Sequence, residues 1–262
     1  MDPDNWATSI NGGQSFQFLL ISTILLSSLM AMLLQNLSAK LGIVTQFDLA
    51  QAIRLHTDKF LSVILWIIAE LAIMATDVTE VIGAAIALNL LFKIPLILAT
   101  LITILDVLFL LFLSKIGFRK IEILVSCLIF VILFIFADEV ILARPNWINI
   151  GSSFLPSSRM LAKTPVVGGI SPLSGSLGII GATVMPHNFY LHSSICQVRK
   201  IDSRNQEEIR QAVKYTEADS NIQLTIAFII NSLLLIMGAA VLRVGLFETV
   251  RSLACMTRLI IR

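Results

Sequence analysis

The chain has 262 residues, 56% hydrophobic and 14% charged, with a formal net charge of +2 and a mean hydropathy of +0.89. Soluble domains carry about 25% charged residues, so this composition excludes a water-soluble domain and makes a lipid bilayer, with no nucleic-acid partner, the expected surrounding. Three dispersed cysteines, Cys127, Cys196 and Cys255, have no CxxC or similar spacing, which argues against a disulfide framework and a zinc site.

The chain opens on Asp2-Pro3-Asp4-Asn5. These residues are acidic and polar where a cleavable signal would place a basic region before an apolar stretch, so insertion is expected to rely on the spans themselves. A helical fragment is expected near 5–12. Segments free of Asp, Glu, Lys and Arg follow over 16–39, 60–69, 81–92, 123–137, 164–198 and 220–242. Because about 20 apolar residues cross the hydrocarbon, the pattern predicts about six full spans and a partial one. They fall near 16–38, 60–91, 94–113, 121–141, 174–196 (broken at Pro186) and 218–241.

Basic residues alternate between the connections. Lys40, Arg54 and Lys59, then Lys115, Arg119 and Lys120, then Arg199, Lys200, Arg204, Arg210 and Lys214 outweigh Lys93, Arg144, Arg159 and Lys163. That excess assigns the first three groups to the cytoplasm. The connection 142–173, with Pro145, Pro156, Pro165 and Pro172, reads as an extracytoplasmic loop with Trp147 at the interface. Segment 199–217 reads as a charged, amphipathic, solvated connector.

Within the apolar segment 60–91, Asp77 and Glu80 stand at i and i+3 on one helical face, with Glu70 seven residues earlier on roughly the same stripe. A charge at the centre of a span costs about 2.5 to 3.5 kcal/mol. A proton or ion pathway through Asp77 and Glu80 is therefore the first reading, and interhelical pairing the second. For Glu70 and the isolated Asp106 that order is reversed.

A second Pro-centred tetrapeptide, Met185-Pro186-His187-Asn188, interrupts a later apolar segment. Proline removes an N–H and frees a carbonyl, so two such breaks facing each other in a bilayer would form an ion site. Alone, Met185 reads as a packing side chain. Beside Asp2 and Asn5 it completes a set of carboxylate, amide oxygen, thioether and freed carbonyl, and a thioether favours transition metals over Mg²⁺ or Ca²⁺. His187 carries an imidazole suited to proton relay, or is a hydrogen-bonded polar residue of the bundle. His192 lies five residues on, and the chain has neither a His-Glu-x-x-His motif nor a phosphate-binding Gly-x-x-x-x-Gly-Lys loop. No enzyme is expected, and transport would draw on a gradient.

The runs Met1–Asn5 (MDPDN), Met74–Leu88 (MATDVTEVIGAAIAL) and Gly178–Ser194 (GIIGATVMPHNFYLHSS) resemble the Nramp family of proton-coupled divalent-metal transporters, particularly its bacterial MntH manganese-transporter branch. The resemblance extends from Met1 to about Leu242. It implies an all-α, multi-pass LeuT-like fold of two inverted five-helix repeats in the bacterial plasma membrane. Residues 1–242 would supply part of helix 1 through helix 7, with 243–262 as an atypical tail. It also implies Mn²⁺ or Fe²⁺ as the transported substrate, protons as the co-substrate, and no cofactor. By the same resemblance Asp2, Asn5 and Met185, with the Ala182 carbonyl, are metal ligands. Asp2, Asp77, Glu80 and His187 serve the proton route, and Asp2 couples the two movements.

Two departures stand out. Asp4 replaces the family's usual glycine, which adds a charge and constrains the backbone. The family also has a half-helix before the first motif and at least three spans after the seventh. The tail RVGLFETVRSLACMTRLIIR does not resemble the expected continuation, and reads as a shifted frame or an interfacial helix. Because alternating access rocks one bundle against another, the rival to metal–proton symport is a non-transporting membrane remnant or interaction module of a full-length homologue.

Overall fold

The computed structural model describes residues 3–113, 118–197 and 205–242. Asp2, Cys255, the 243–262 tail and the side chain of Asp106 lie outside the described residues. The described chain is all-α. Its helices are α1 (Pro3–Phe16), α2 (Ile21–Thr45), α3 (Leu49–His56), α4 (Lys59–Phe92), α5 (Leu96–Leu113), α6 (Phe118–Ala143), α7 (Trp147–Ser153), α8 (Pro172–Thr183), α9 (Pro186–Gln197) and α10 (Gln206–Met237).

Local chemistry sets most of the ends. Asp48 and Gln51 form a reciprocal capping box at the start of α3. Asn146 caps α7 by accepting from the N–H groups of Ile148 and Asn149. Ser171 caps α8, and Pro172 at its first position loses nothing, since that N–H has no helical acceptor. α4 stops at Lys93, which is left-handed with φ 56° and donates its N–H to Asn89 O, while the Asn89 amide donates to Ile94 O at 2.7 Å.

Four helical stretches among the described residues are long and apolar enough to cross a membrane: Ile21–Thr45, Lys59–Phe92, Ile123–Ala143 and Gln206–Ala240. α5, Leu96–Leu113, is an 18-residue apolar helix where the 94–113 span was expected. The expected span around Pro186 takes a different form, two helices of 12 residues each, neither long enough alone. The expected fragment 5–12 is longer, opening at Pro3, and the first long span begins at Ile21 because a 3₁₀ turn, Gln17–Leu20, separates it from α1. The 142–173 connection contains α7 and a 3₁₀ turn, and its Trp147 is exposed.

The segment expected as a solvated connector is corrected over 206–217, where it forms the first turns of α10. Ile209, Ala212 and Val213 follow the i, i+3, i+4 period and pack against Ala39, Ile43 and Cys196. The Lys40 ammonium meets the Glu217 carboxylate at 2.7 Å beside them.

The chain divides into two compact units. One comprises Met1–Asp4, Met30–Phe130 and Met185–Leu224; the other comprises Asn5–Leu29, Val131–Val184 and Thr225–Arg262. In the first, the later part of α2 packs on α9. The backbone of Gly42 lies so close to that of Ser193 that a Cβ would collide, and the Ser38 hydroxyl donates to Phe189 O at 2.6 Å.

The second unit is centred on Leu20, Ile21, Ile24, Val140, Ile150, Ile179, Leu235 and Ile236. Two of its buried hydroxyls pair with each other, while that of Ser232 has no partner among the described residues. Thr23 and Ser176 are 3.2 Å apart, and Ser176 donates to Met160 O at 2.9 Å. α1 crosses the end of α10 through two glycines, Gly13 against the backbone of Leu235 and Gly238 against that of Ile10. Small residues at a crossing let helix backbones approach where lipid supplies no hydrophobic drive.

Candidate metal centre

The decisive local feature is the interruption between α8 and α9. α8 ends as Val184 N–H bonds to Ile180 O at 2.8 Å, Val184 leaves helical geometry at φ −96°, ψ 74°, and α9 begins at Pro186. A continuous helix would satisfy the Ala182 carbonyl from the N–H of residue 186, and proline has none. Ala182 thus carries a carbonyl without its helical donor, in a residue only 7% exposed.

Met185 stands between the two helices and is 5% exposed. Its carbonyl accepts from Asn188 N–H at 3.2 Å, and its sulfur accepts from the Asn188 amide Nδ2 at 3.5 Å. A buried thioether held by one hydrogen bond is a soft donor with a second lone pair still available.

Asn5, 8% exposed, lies in the first turns of α1, where its backbone carbonyl accepts from the Thr8 hydroxyl at 3.3 Å. Pro3 opens α1, so among the described residues the first tetrapeptide starts a helix, whereas the second separates two. Asp4 is helical and absent from the positive-φ positions. The left-handed backbone that would require glycine is not adopted there, and a carboxylate in the first turn favours the helix dipole.

Asn5 and Ala182 belong to one unit, and Met185 and His187 to the other. Within the latter, α9, α3 and α4 surround a cavity of about 750 Å³ whose lining includes Asp48, Arg54, Trp66, Glu70, His187 and Tyr190. His187 Nδ1 is buried and has no hydrogen-bond partner among the described residues. Trp66 Nε1 donates to Glu70 at 3.1 Å, one helical turn along α4. His187 and Glu70 therefore share a cavity, while Asp77 and Glu80 are exposed on α4 and do not line it. Sequence reasoning gave no role to Trp66, Tyr190, Asp48 or Asn188, and read Arg54 only as a basic residue of a cytoplasmic connection. Only the i, i+4 spacing of Trp66 and Glu70 could have signalled a pair.

The family model for Natural resistance-associated macrophage protein-like proteins, Nramp, matches residues 1–260. The chain belongs to the Nramp family. The divalent metal cation transporter MntH of Latilactobacillus sakei is 57% identical over 240 residues, covering 92% of this chain and 51% of the relative. MntH of Staphylococcus aureus is 53% identical, with 92% and 52% covered. The chain spans about half the length of the curated relatives it matches.

Among solved structures, the manganese transporter of Eremococcus coleocola in complex with an aromatic bis-isothiourea compound matches with a TM-score of 0.82 at 61% identity, covering 92% of this chain and 49% of that one. Variants of that transporter with a glutamate or a histidine replaced match equally, at 0.82 and 60% identity over the same shares. The chain is thus an integral membrane protein whose helices form part of the LeuT-like Nramp fold.

Proposed function

We propose that this chain carries binding elements of a proton-coupled transporter of divalent transition metals, with Mn²⁺ or Fe²⁺ as cargo. The observation that carries the reading is the proline-made gap at 184–186, which leaves the Ala182 carbonyl without its helical donor three residues from a buried thioether. In this reading Asp2 supplies the carboxylate, Asn5 the amide oxygen, Ala182 its carbonyl and Met185 the sulfur. Such a mixed donor set suits a transition metal better than Mg²⁺ or Ca²⁺.

Protons move through Asp2, Asp77, Glu80 and His187. The buried, unpartnered Nδ1 of His187 supports its part, since such a nitrogen gains a partner when it exchanges a proton with water or a neighbour. The glutamate and the histidine replaced in the Eremococcus coleocola variants are separated by the same number of residues as Glu80 and His187 here, which supports assigning the pair. The test is Mn²⁺ uptake by the purified chain in liposomes under an inward proton gradient. Uptake is expected to be lost in Asp2→Ala, and uptake indifferent to both gradient and substitution would refute the reading.

A second reading is that the chain works alongside a full-length homologue rather than transporting alone. It is favoured by α4, whose most apolar window has no buried residue although Glu70 and Asp77 are exposed on the same helix. Carboxylates on a membrane helix face protein or water rather than lipid. Stable co-purification with such a homologue is the expected result, and recovery of the chain without it in mild detergent counts against this reading.

A further inference from the structure

We propose that Asn188 is a positioning residue that presents the Met185 sulfur to the metal, an inference that rests on the ligand reading above. Met185 precedes the first residue of α9, with Pro186 first and Asn188 third. At that position a side chain commonly reaches back to the start of its own helix. Here it reaches the sulfur instead of a backbone N–H: Asn188 donates Nδ2–H to Met185 Sδ at 3.5 Å and its own N–H to Met185 O at 3.2 Å.

The physical consequence concerns a flexible ligand. Methionine is unbranched, adapts its shape readily and has much rotamer freedom to lose when it is fixed. A hydrogen bond from Asn188 fixes the thioether before the metal arrives, so less ordering remains for the binding step. It also fixes which end of the amide faces the sulfur. An N–H there leaves the thioether as the soft donor, whereas a reversed amide would bring a hard oxygen beside it. Asn188 thereby tunes preference between soft and hard cations without being a ligand itself. Because Asn188 is exposed, truncating it removes little packing.

The test titrates the full 262-residue chain in detergent with Cd²⁺ and Mn²⁺ by calorimetry. Asn188→Ala is expected to weaken Cd²⁺ binding about five-fold, the value of one modest hydrogen bond, and Mn²⁺ binding less than about two-fold. Asn188→Gln, which keeps the amide donor, restores most of the Cd²⁺ affinity. In a Met185→Leu background Asn188→Ala has no further effect. Equal weakening of both metals, an undiminished loss in the Met185→Leu background, or no rescue by glutamine would overturn the positioning role. Failure of the ligand reading looks different: Met185→Leu then leaves both affinities at the wild-type value, or the wild type binds neither metal, and either result removes both inferences. Melting temperatures of all variants are measured alongside, and a loss of affinity that merely follows lowered stability counts against the proposal.

Discussion

Ser193 satisfies two backbone groups with one hydroxyl. It accepts from Leu49 N–H at 3.0 Å and donates to Tyr190 O at 2.8 Å, with no exposure to solvent. Removing that oxygen leaves a part-buried N–H without its acceptor, so Ser193→Ala is expected to lower stability by about 1 to 2 kcal/mol, read as a lower thermal midpoint in detergent. Gly42→Ala drives a methyl group into the neighbouring backbone and is expected to cost more, about 1 to 3 kcal/mol. An unchanged midpoint in both variants would mean that the contacts of α9 with α3 and α2 add no stability. Neither role was legible beforehand: one hydroxyl or glycine has no period, and the partners lie far along the chain. The same holds for the bond from Asn188 to Met185, although the tetrapeptide containing both residues stood out at once.

At the scale of elements, the proline between α8 and α9 was legible because its effect is covalent and local. Pro186→Ala restores the missing N–H and lets the helix run on, so it is expected to raise helical content by circular dichroism while weakening Mn²⁺ binding about ten-fold or more. Higher helicity with unchanged binding would separate the break from the metal. Apolar spans were legible where charges are absent over about 20 residues, as in α2 and the later part of α10. The start of α10 was not, since Gln206, Glu207, Glu208 and Arg210 mask the apolar stripe of Ile209, Ala212 and Val213 that packs against α2 and α9. The turn between α1 and α2 was missed for a different reason. Gln17 adopts φ 57°, which no preference of glutamine announces.

At the scale of the whole molecule, α4 exposes Phe60, Trp66, Leu71, Met74, Val78 and Leu90 along with Asp77. Lipid covers the apolar residues at no cost and the carboxylate at a large one. Asp77→Asn is therefore expected to raise the melting midpoint of the chain alone in lipid nanodiscs and to weaken its co-purification with a full-length homologue. A lower midpoint would show that the carboxylate already serves the isolated chain. The composition foretold a membrane protein, and the runs around Asp77 and Met185 foretold the family. That Asn5 and Ala182 fall in one compact unit and Met185 in the other was not foretold, because such grouping depends on contacts between residues far apart in the chain.

The paired glycine crossing of α1 with α10 has a consequence for biogenesis. α1 leaves the ribosome long before α10, yet the groove that seats Gly13 and Ile10 is made by Leu235 and Gly238. Contacts so distant in sequence form late. Asn5, carried on the same α1, must wait for α10 to be made before that seat exists, so arrest or cleavage between the two helices leaves α1 without it.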